Sequence, residues 1–315
     1  MPELELDPRD TIDRNAEQEL FAGLVSSATA RMLVISDKRD RGKSTLLRRL
    51  QYNCVRVIKP PIPVCLVDLD NLPEASSFAF VKTIVTGLKI DDKFPKYISL
   101  NNARVAKNFG PFDTSGAEMS GQVSVGGDFV ARDKVIHGNE IIQIAQREFS
   151  DAMEEIARKK CIEAFFEDLR VLCATQTIVM LLDHWEKCNI NVRKWIRNTF
   201  MGEHCFHPDK NMRPAKLAVV VAGNTFDEAK EPSGIRDKEF IDLFNDDEHE
   251  HNETILSKAS LSEWENAHIR EFLKQNGVVR NVSDEDIDYL RSCLKRGMTF
   301  SQIRDISKSI SSGDT

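Results

Sequence analysis

No apolar run in the chain approaches the ~20 residues that a helix needs to cross a bilayer. The first ten residues, MPELELDPRD, are acidic and carry no hydrophobic signal core. These two absences predict a soluble, cytoplasmic protein without a membrane partner. Positive charge is not in excess either: 43 Lys and Arg face 50 Asp and Glu, a formal net charge of −7. There is thus no global basic field to draw the chain to nucleic acid or to an anionic membrane, and nucleic acid is not an expected partner. The seven cysteines (54, 65, 161, 173, 188, 205, 293) contain no CxxC pair and are odd in number. That excludes a disulfide scaffold and makes each a reduced, buried small hydrophobe. His204, Cys205 and His207, and likewise His249 and His251, lack the paired spacing of a zinc site and sit in polar stretches that read as solvated loops. Trp185, Trp195 and Trp264 are too dispersed to form a stacking platform for bases and read as core or interface anchors.

The rest of the composition is ordinary for a globular chain of one large or two smaller domains: 315 residues, 41% hydrophobic and 30% charged. Thr11 to Ser27 reads as a turn and an amphipathic helix with Leu20, Phe21 and Leu24 on one face. Arg31–Ser36 (RMLVIS), Pro63–Asp70 (PVCLVDLD), Gln176–Asp183 (QTIVMLLD) and Lys216–Gly223 (KLAVVVAG) are short and apolar almost throughout. Helical spacing fills Ser44–Tyr52, Phe78–Leu88, Ile141–Cys173 and Val192–Met201 between and after them. Fully apolar strands alternating with helices predict an α/β fold, a mostly parallel sheet between two helix layers. Pro111 to Asn139 is Gly-rich, with DFV, DKV and NEI units starting at 128, 133 and 139. It predicts an inserted turn–strand ribbon over about residues 111–141. Asn245–Glu253 reads as an acidic surface linker, and Ser260–Ser309 as two or three amphipathic helices without a strand.

Between the first apolar strand and the helix at Ser44 lies DKRDRGKST, that is Asp37, Lys38, Arg39, Asp40, Arg41, Gly42, Lys43, Ser44 and Thr45. Its end matches the phosphate-binding pattern G-x-x-x-x-G-K-[S/T], with Asp37 in place of the first glycine. In such a loop, backbone N–H groups and the helix N-terminus bind phosphate oxygens. Lys43 would reach the β and γ phosphates, Ser44 would ligate Mg²⁺, and a side chain at Gly42 would block the approach. Asp37 puts a carboxylate where positive potential is wanted, which lowers affinity without removing a ligand. Downstream, QTIVMLLD ends at Asp183, the candidate to hold Mg²⁺ through water. Glu186, three residues beyond, is the candidate to polarise the attacking water. Asn224, after KLAVVVAG, either senses the γ-phosphate or simply turns the chain.

With these motifs in order, the chain resembles the STAND branch of the AAA+ superfamily, signal-transduction ATPases that include bacterial defence and regulatory proteins. Ile12-Asp13-Arg14-Asn15-Ala16-Glu17 looks like that family's hxGRexE box, and it precedes RMLVISDKRDRGKSTLL, LLDHWE and VVVAGN in the family's order. The resemblance implies a P-loop nucleotide-binding domain over 1–253 and a helical lid over 254–315, with ATP or ADP and Mg²⁺ bound between them. It also implies that Arg14 and Glu17 lie near the adenine, and that Arg193, Arg197, Arg213 or Arg236 reaches a neighbouring subunit if the chain forms a homo-oligomer. His184 directly after Asp183 and the missing first loop glycine depart from the family and point to slow hydrolysis. The expectation is an ATP-driven switch acting through an unidentified protein partner. A catalytically inactive nucleotide-binding scaffold is the alternative, and a DNA-associated ATPase helper a weaker third.

Overall fold

A computed structural model describes residues 14–39, 42–108, 129–131, 134–136, 138–207, 209, 212–236, 240, 256–259, 266–275, 282–295, 303 and 306, with only the backbone course over 106–152. The described strands are β1 (Arg31–Asp37), β2 (Val64–Asp68), β3 (Phe129–Ala131), β4 (Lys134–Ile136), β5 (Ile178–Asp183), β6 (Leu217–Asn224) and β7 (Leu256–Ala259). The described α-helices are α1 (Asn15–Val25), α2 (Lys43–Tyr52), α3 (Ser77–Leu88), α4 (Pro95–Asn108), α5 (Gly138–Thr175), α6 (Ile190–Trp195), α7 (Asn266–Gln275) and α8 (Asp284–Lys295), with α2 and α6 continued by π-helical turns over Asn53–Val57 and Ile196–Cys205. Five strands form one parallel sheet in the order β2-β5-β6-β1-β7. Every residue of β5 and β6 is buried, as the middle of a parallel sheet with both faces covered requires. This is the α/β class expected from the apolar runs.

One side of the sheet is closed by α1 and α2. Phe21, Leu24, Leu46, Leu47 and Leu50 join Leu33, Ile35, Val179 and Val220 in one core cluster. Leu20 does not take part and is 40% exposed. The buried stripe of α1 is Glu17, Phe21, Leu24 and Val25, spaced i, i+4, i+7 and i+8, and Leu20 falls about 100° off it. On β2 packs α3, whose N-cap Ser76 accepts the Ala79 N–H at 3.1 Å, satisfying one of the first-turn donors.

The chain divides into two compact units, residues 91–169 and the remainder. In the smaller unit, Asp168 is buried and its Oδ2 accepts the Tyr97 N–H at 3.0 Å, so α5 caps the first turn of α4. Phe94 and Phe165 stack beside that contact at 5.6 Å. The Gly-rich ribbon is present as the antiparallel pair β3–β4, with Phe129 opposite Ile136. Two of its three expected units, DFV and DKV, supply these strands. The third, Asn139-Glu140-Ile141, instead lies in the first turn of α5. Residues 111–128 of the expected insertion lie outside the described residues.

In the larger unit, α7 and α8 share a small core of Ile269, Leu273, Ile287, Leu290, Cys293 and Ile303. Ser283 starts α8 through a reciprocal capping box: its Oγ accepts the Asp286 N–H at 3.2 Å, and Asp286 Oδ2 accepts the Ser283 N–H at 2.9 Å. The range expected to be all-helical from residue 254 departs from expectation at β7, which pairs with β1 in the register Met32–Leu256. A four-residue strand containing Ser257 and Lys258 is too short and polar to announce itself by periodicity. The expected linker 245–253 lies outside the described residues. Among the described residues no helix is long and apolar enough to cross a membrane.

Candidate functional site

The C-terminal edge of the sheet gathers the residues of interest. At this edge β1 ends at Asp37, opposite Asn224 of β6. Asp40 and Arg41 lie outside the described residues, while Lys38 and Arg39 are exposed. Gly42 has φ 83 and ψ 21, a left-handed conformation that a β-carbon disfavours. As the N-cap of α2 it has no side chain to satisfy the first-turn N–H groups, which include those of Lys43, Ser44 and Thr45. Those donors, with the positive end of the helix dipole, make an anion-binding terminus. Lys43 is buried, and its Nζ donates to the carbonyls of Asp37 (3.0 Å) and Lys38 (2.6 Å). The ammonium thus folds back over its own loop, where phosphate oxygens can take the place of carbonyls. Asp37 turns its carboxylate onto the loop backbone, with Oδ1 accepting the Lys38 N–H at 2.6 Å.

Strand order sets the next distance. As β6 lies between β1 and β5, and Leu182 is level with Val221 and Val34, Asp183 stands two strand spacings to the side of β1, roughly 9.5 Å, and two residues below the level of Asp37. Asp183 is buried, and its Oδ1 accepts the His184 N–H at 2.9 Å. Glu186 is also buried, and its Oε2 accepts the Asn224 N–H at 3.0 Å. The expected water-polarising carboxylate therefore has one oxygen engaged with the main chain of the expected sensor. Gly223 makes this approach possible, since a β-carbon there would meet Trp185 Cβ at 2.8 Å and Glu186 Oε2 at 3.0 Å.

One site residue escaped the sequence reading. Asp68 ends β2 in register with Asp183, and its Oδ1 lies 2.8 Å from His184 Nδ1 while its Oδ2 accepts from Asn71 Nδ2 at 2.7 Å. Burial pushes the Asp68 carboxyl up, but the hydrogen bonds from Asn71 and His184, the His184 charge and the Asp70 N–H outweigh it and hold it below its ordinary value. The available signal was that PVCLVDLD, like QTIVMLLD, carries an apolar run into a carboxylate.

Other expected residues are placed as follows. Arg14 and Glu17 form a buried ion pair at 3.6 Å at the start of α1, which packs against β1 and β6. Arg193 donates to the Ser233 carbonyl at 2.5 Å, Arg213 donates to the His207 carbonyl, and the exposed Arg236 lies 4.1 Å from the Phe226 ring centre. Arg197 carries its Nε buried without a hydrogen-bond partner. Burial, followed by the Arg170 charge and His207, lowers the His204 pKa to about 4, and its Nδ1 is 3.3 Å from Arg170 Nη2. All seven cysteines are free and buried, with Cys54, Cys65 and Cys173 pushed up to about 12 by burial. Trp185 is fully buried against Phe240, Trp195 packs edge-on to Phe80, and Trp264 lies outside the described residues.

Among the described residues no three His, Cys, Asp or Glu side chains come together to hold a metal. The described residues therefore fit Mg²⁺ as an ion that would be carried mainly by phosphate oxygens and water, with Ser44 and Asp183 the candidates beside it. That is the usual mode for this small, reluctantly dehydrated cation.

No protein-family model matches the chain, and no curated protein matches it in sequence. Among solved structures it is similar to Drosophila ORC bound to DNA, at 13% identity and a TM-score of 0.49 over 98% of this chain and 57% of that one. It is also similar to the ORC1 protein of Aeropyrum pernix in complex with DNA, at 9% identity and TM-score 0.47 over 98% and 62% of the two chains. A third similarity is to Cdc6p from Pyrobaculum aerophilum, at 11% identity and TM-score 0.44 over 89% and 55%. The chain spans less than two thirds of each of these proteins.

Proposed function

We propose that the chain is a nucleotide-binding protein of the AAA+ P-loop class, holding ATP or ADP with Mg²⁺ on DKRDRGKST and acting as a slowly hydrolysing switch on a protein partner. The observation that carries this reading is the state of Lys43. A buried ammonium clasped by the carbonyls of Asp37 and Lys38, beside a left-handed Gly42 that caps α2 without a side chain, supports a cradle for a polyphosphate. Lys43 would exchange those carbonyls for phosphate oxygens, and Ser44 with Asp183 would hold a hydrated Mg²⁺, which would supply charge neutralisation. Asn224, held by Glu186 through its N–H, would serve as the γ-phosphate sensor. Arg14 and Glu17 would border the base, and α7 with α8 would form the lid. The engagement of Glu186 by the main chain and the replacement of an acidic neighbour of Asp183 by His184 favour slow turnover. The STAND-type signalling role rests on the sequence resemblance.

Thermal unfolding with and without nucleotide tests this. A ligand at 100 times its Kd stabilises by about 2.7 kcal/mol, worth roughly 5–10 °C in a domain of this size. Wild type with millimolar ADP or ATP and Mg²⁺ is expected to show such a shift, and Lys43→Ala to lose it. If neither nucleotide raises the melting temperature, the reading fails. Binding without Mg²⁺-dependent turnover selects the inactive scaffold over the switch. A DNA-associated role would appear as salt-dependent retention on DNA, against which the net charge of −7 weighs.

A further inference from the structure

Parallel strands β2 and β5 place Asp68 opposite Asp183, so both end in a carboxylate at the same edge of the sheet. One residue on, His184 has φ 58 and ψ 45, a left-handed conformation unusual for a residue with a β-carbon and sustained only where the surroundings over-determine it. Two contacts do so. The His184 N–H donates to Asp183 Oδ1 at 2.9 Å, and the imidazole Nδ1 lies 2.8 Å from Asp68 Oδ1. Asp68 is itself anchored, since Asn71 Nδ2 donates to its Oδ2 at 2.7 Å and the Asp70 N–H to its Oδ1 at 3.1 Å. The Leu69 N–H closes the frame on the Asp183 carbonyl at 3.1 Å.

We infer that Asp68 is a positioning residue of the candidate nucleotide site, acting through His184 to hold the Asp183 carboxylate in place. The tether on the imidazole fixes where residue 184 can lie and with it the N–H that Asp183 Oδ1 accepts. That leaves Asp183 Oδ2, 4.0 Å from the imidazole, for the water shell of a divalent cation. Outer-shell partners of this kind are worth 10–100-fold in metal affinity. The inference rests on the nucleotide–Mg²⁺ reading of Asp183, and it differs from a purely structural role, which would lower the stability of the free protein and leave Mg²⁺ dependence alone.

The test is thermal unfolding of the full chain with ADP, first in EDTA and then across a Mg²⁺ titration, for wild type, Asp68→Ala, His184→Gly and the double variant. Asp68→Ala is expected to keep the ADP shift seen in EDTA but to need about tenfold more Mg²⁺ for the added shift. The double variant is expected to recover most of that loss, because glycine enters the left-handed region without a β-carbon. Wild-type Mg²⁺ dependence in Asp68→Ala overturns the inference while the nucleotide reading stands. A double variant no better than Asp68→Ala also overturns it, since Asp68 would then act without His184. Absence of any ADP shift in wild type overturns the nucleotide reading and this inference with it.

Discussion

Replacing Gly223 with alanine should be among the most damaging single-methyl additions to the sheet, and its cost follows from three neighbours. The added carbon would stand 2.8 Å from Trp185 Cβ, 3.0 Å from Glu186 Oε2 and 3.0 Å from Ile235 Cδ1. Trp185 has no room to retreat, being fully buried with its ring 5.2 Å from that of Phe240. Ile235 is 2% exposed, so its side chain too is enclosed. Glu186 is the partner able to move, and moving it gives up its bond to the Asn224 N–H and leaves a buried donor unmet. Overpacking costs about 1–3 kcal/mol, and losing a hydrogen bond to a charged group about 1.5–3. The expected destabilisation is about 3–5 kcal/mol, a fall in melting temperature of roughly 6–20 °C. Urea denaturation should show the same loss as a lower midpoint at an unchanged slope. Gly23 in α1 is the control: a β-carbon there meets nothing within 4 Å, so Gly23→Ala should stabilise by roughly 0.5–1 kcal/mol. If Gly223→Ala falls within 1 kcal/mol of wild type, Glu186 is free to move and its link to Asn224 is not the constraint argued above.

Two further outcomes follow from the geometry. Burial holds the His204 pKa at about 4 against an ordinary 6.5, so the unfolded chain binds that proton more readily; stability is full above pH 6.5 and is lost as pH falls towards 4. The difference corresponds to at most about 3 kcal/mol, and partial exposure brings it to about 1–2; His204→Gln should flatten that part of the pH–stability curve, and an unchanged curve would refute the assignment. Ser283→Ala removes the Oγ that accepts the Asp286 N–H and should cost about 1 kcal/mol, read as faster amide exchange in the first turn of α8.

Strands β1, β2, β5 and β6 were legible because a strand buried on both faces must be apolar almost throughout, and RMLVIS or KLAVVVAG can satisfy little else. Their boundaries hold to within two residues. What periodicity does not encode stayed hidden. LSKA is too short and mixed to declare β7, and it becomes a strand through pairing with β1. Leu20 was grouped with Phe21 although neighbours on a helix face different ways. The position of DKRDRGKST between β1 and α2, and of Asp183 at the end of β5, was readable from apolar runs and residue types. The left-handed turn at His184 and the partner Asp68 were not, because a backbone angle and a contact 116 residues apart in sequence leave no local trace.

The tertiary part of the site has a consequence of its own on the proposed reading. Hydrogen bonds run across the whole sheet edge: Lys43 to the Asp37 carbonyl, that same carbonyl to the Thr225 N–H at 3.0 Å, Glu186 to the Asn224 N–H, and Asp68 to His184 beside Asp183. A phosphate that draws Lys43 away leaves the Asp37 carbonyl with the Thr225 N–H, so the change in the loop is felt first at the end of β6. From there the rigid link is Glu186, which returns to the segment following β5. Glu186 thus ties the end of β6 to the segment following β5, two places that would face the proposed nucleotide. On that reading a carboxylate engaged in this way would serve the coupling of loop to ion site better than proton transfer, which is the physical argument for expecting binding ahead of catalysis.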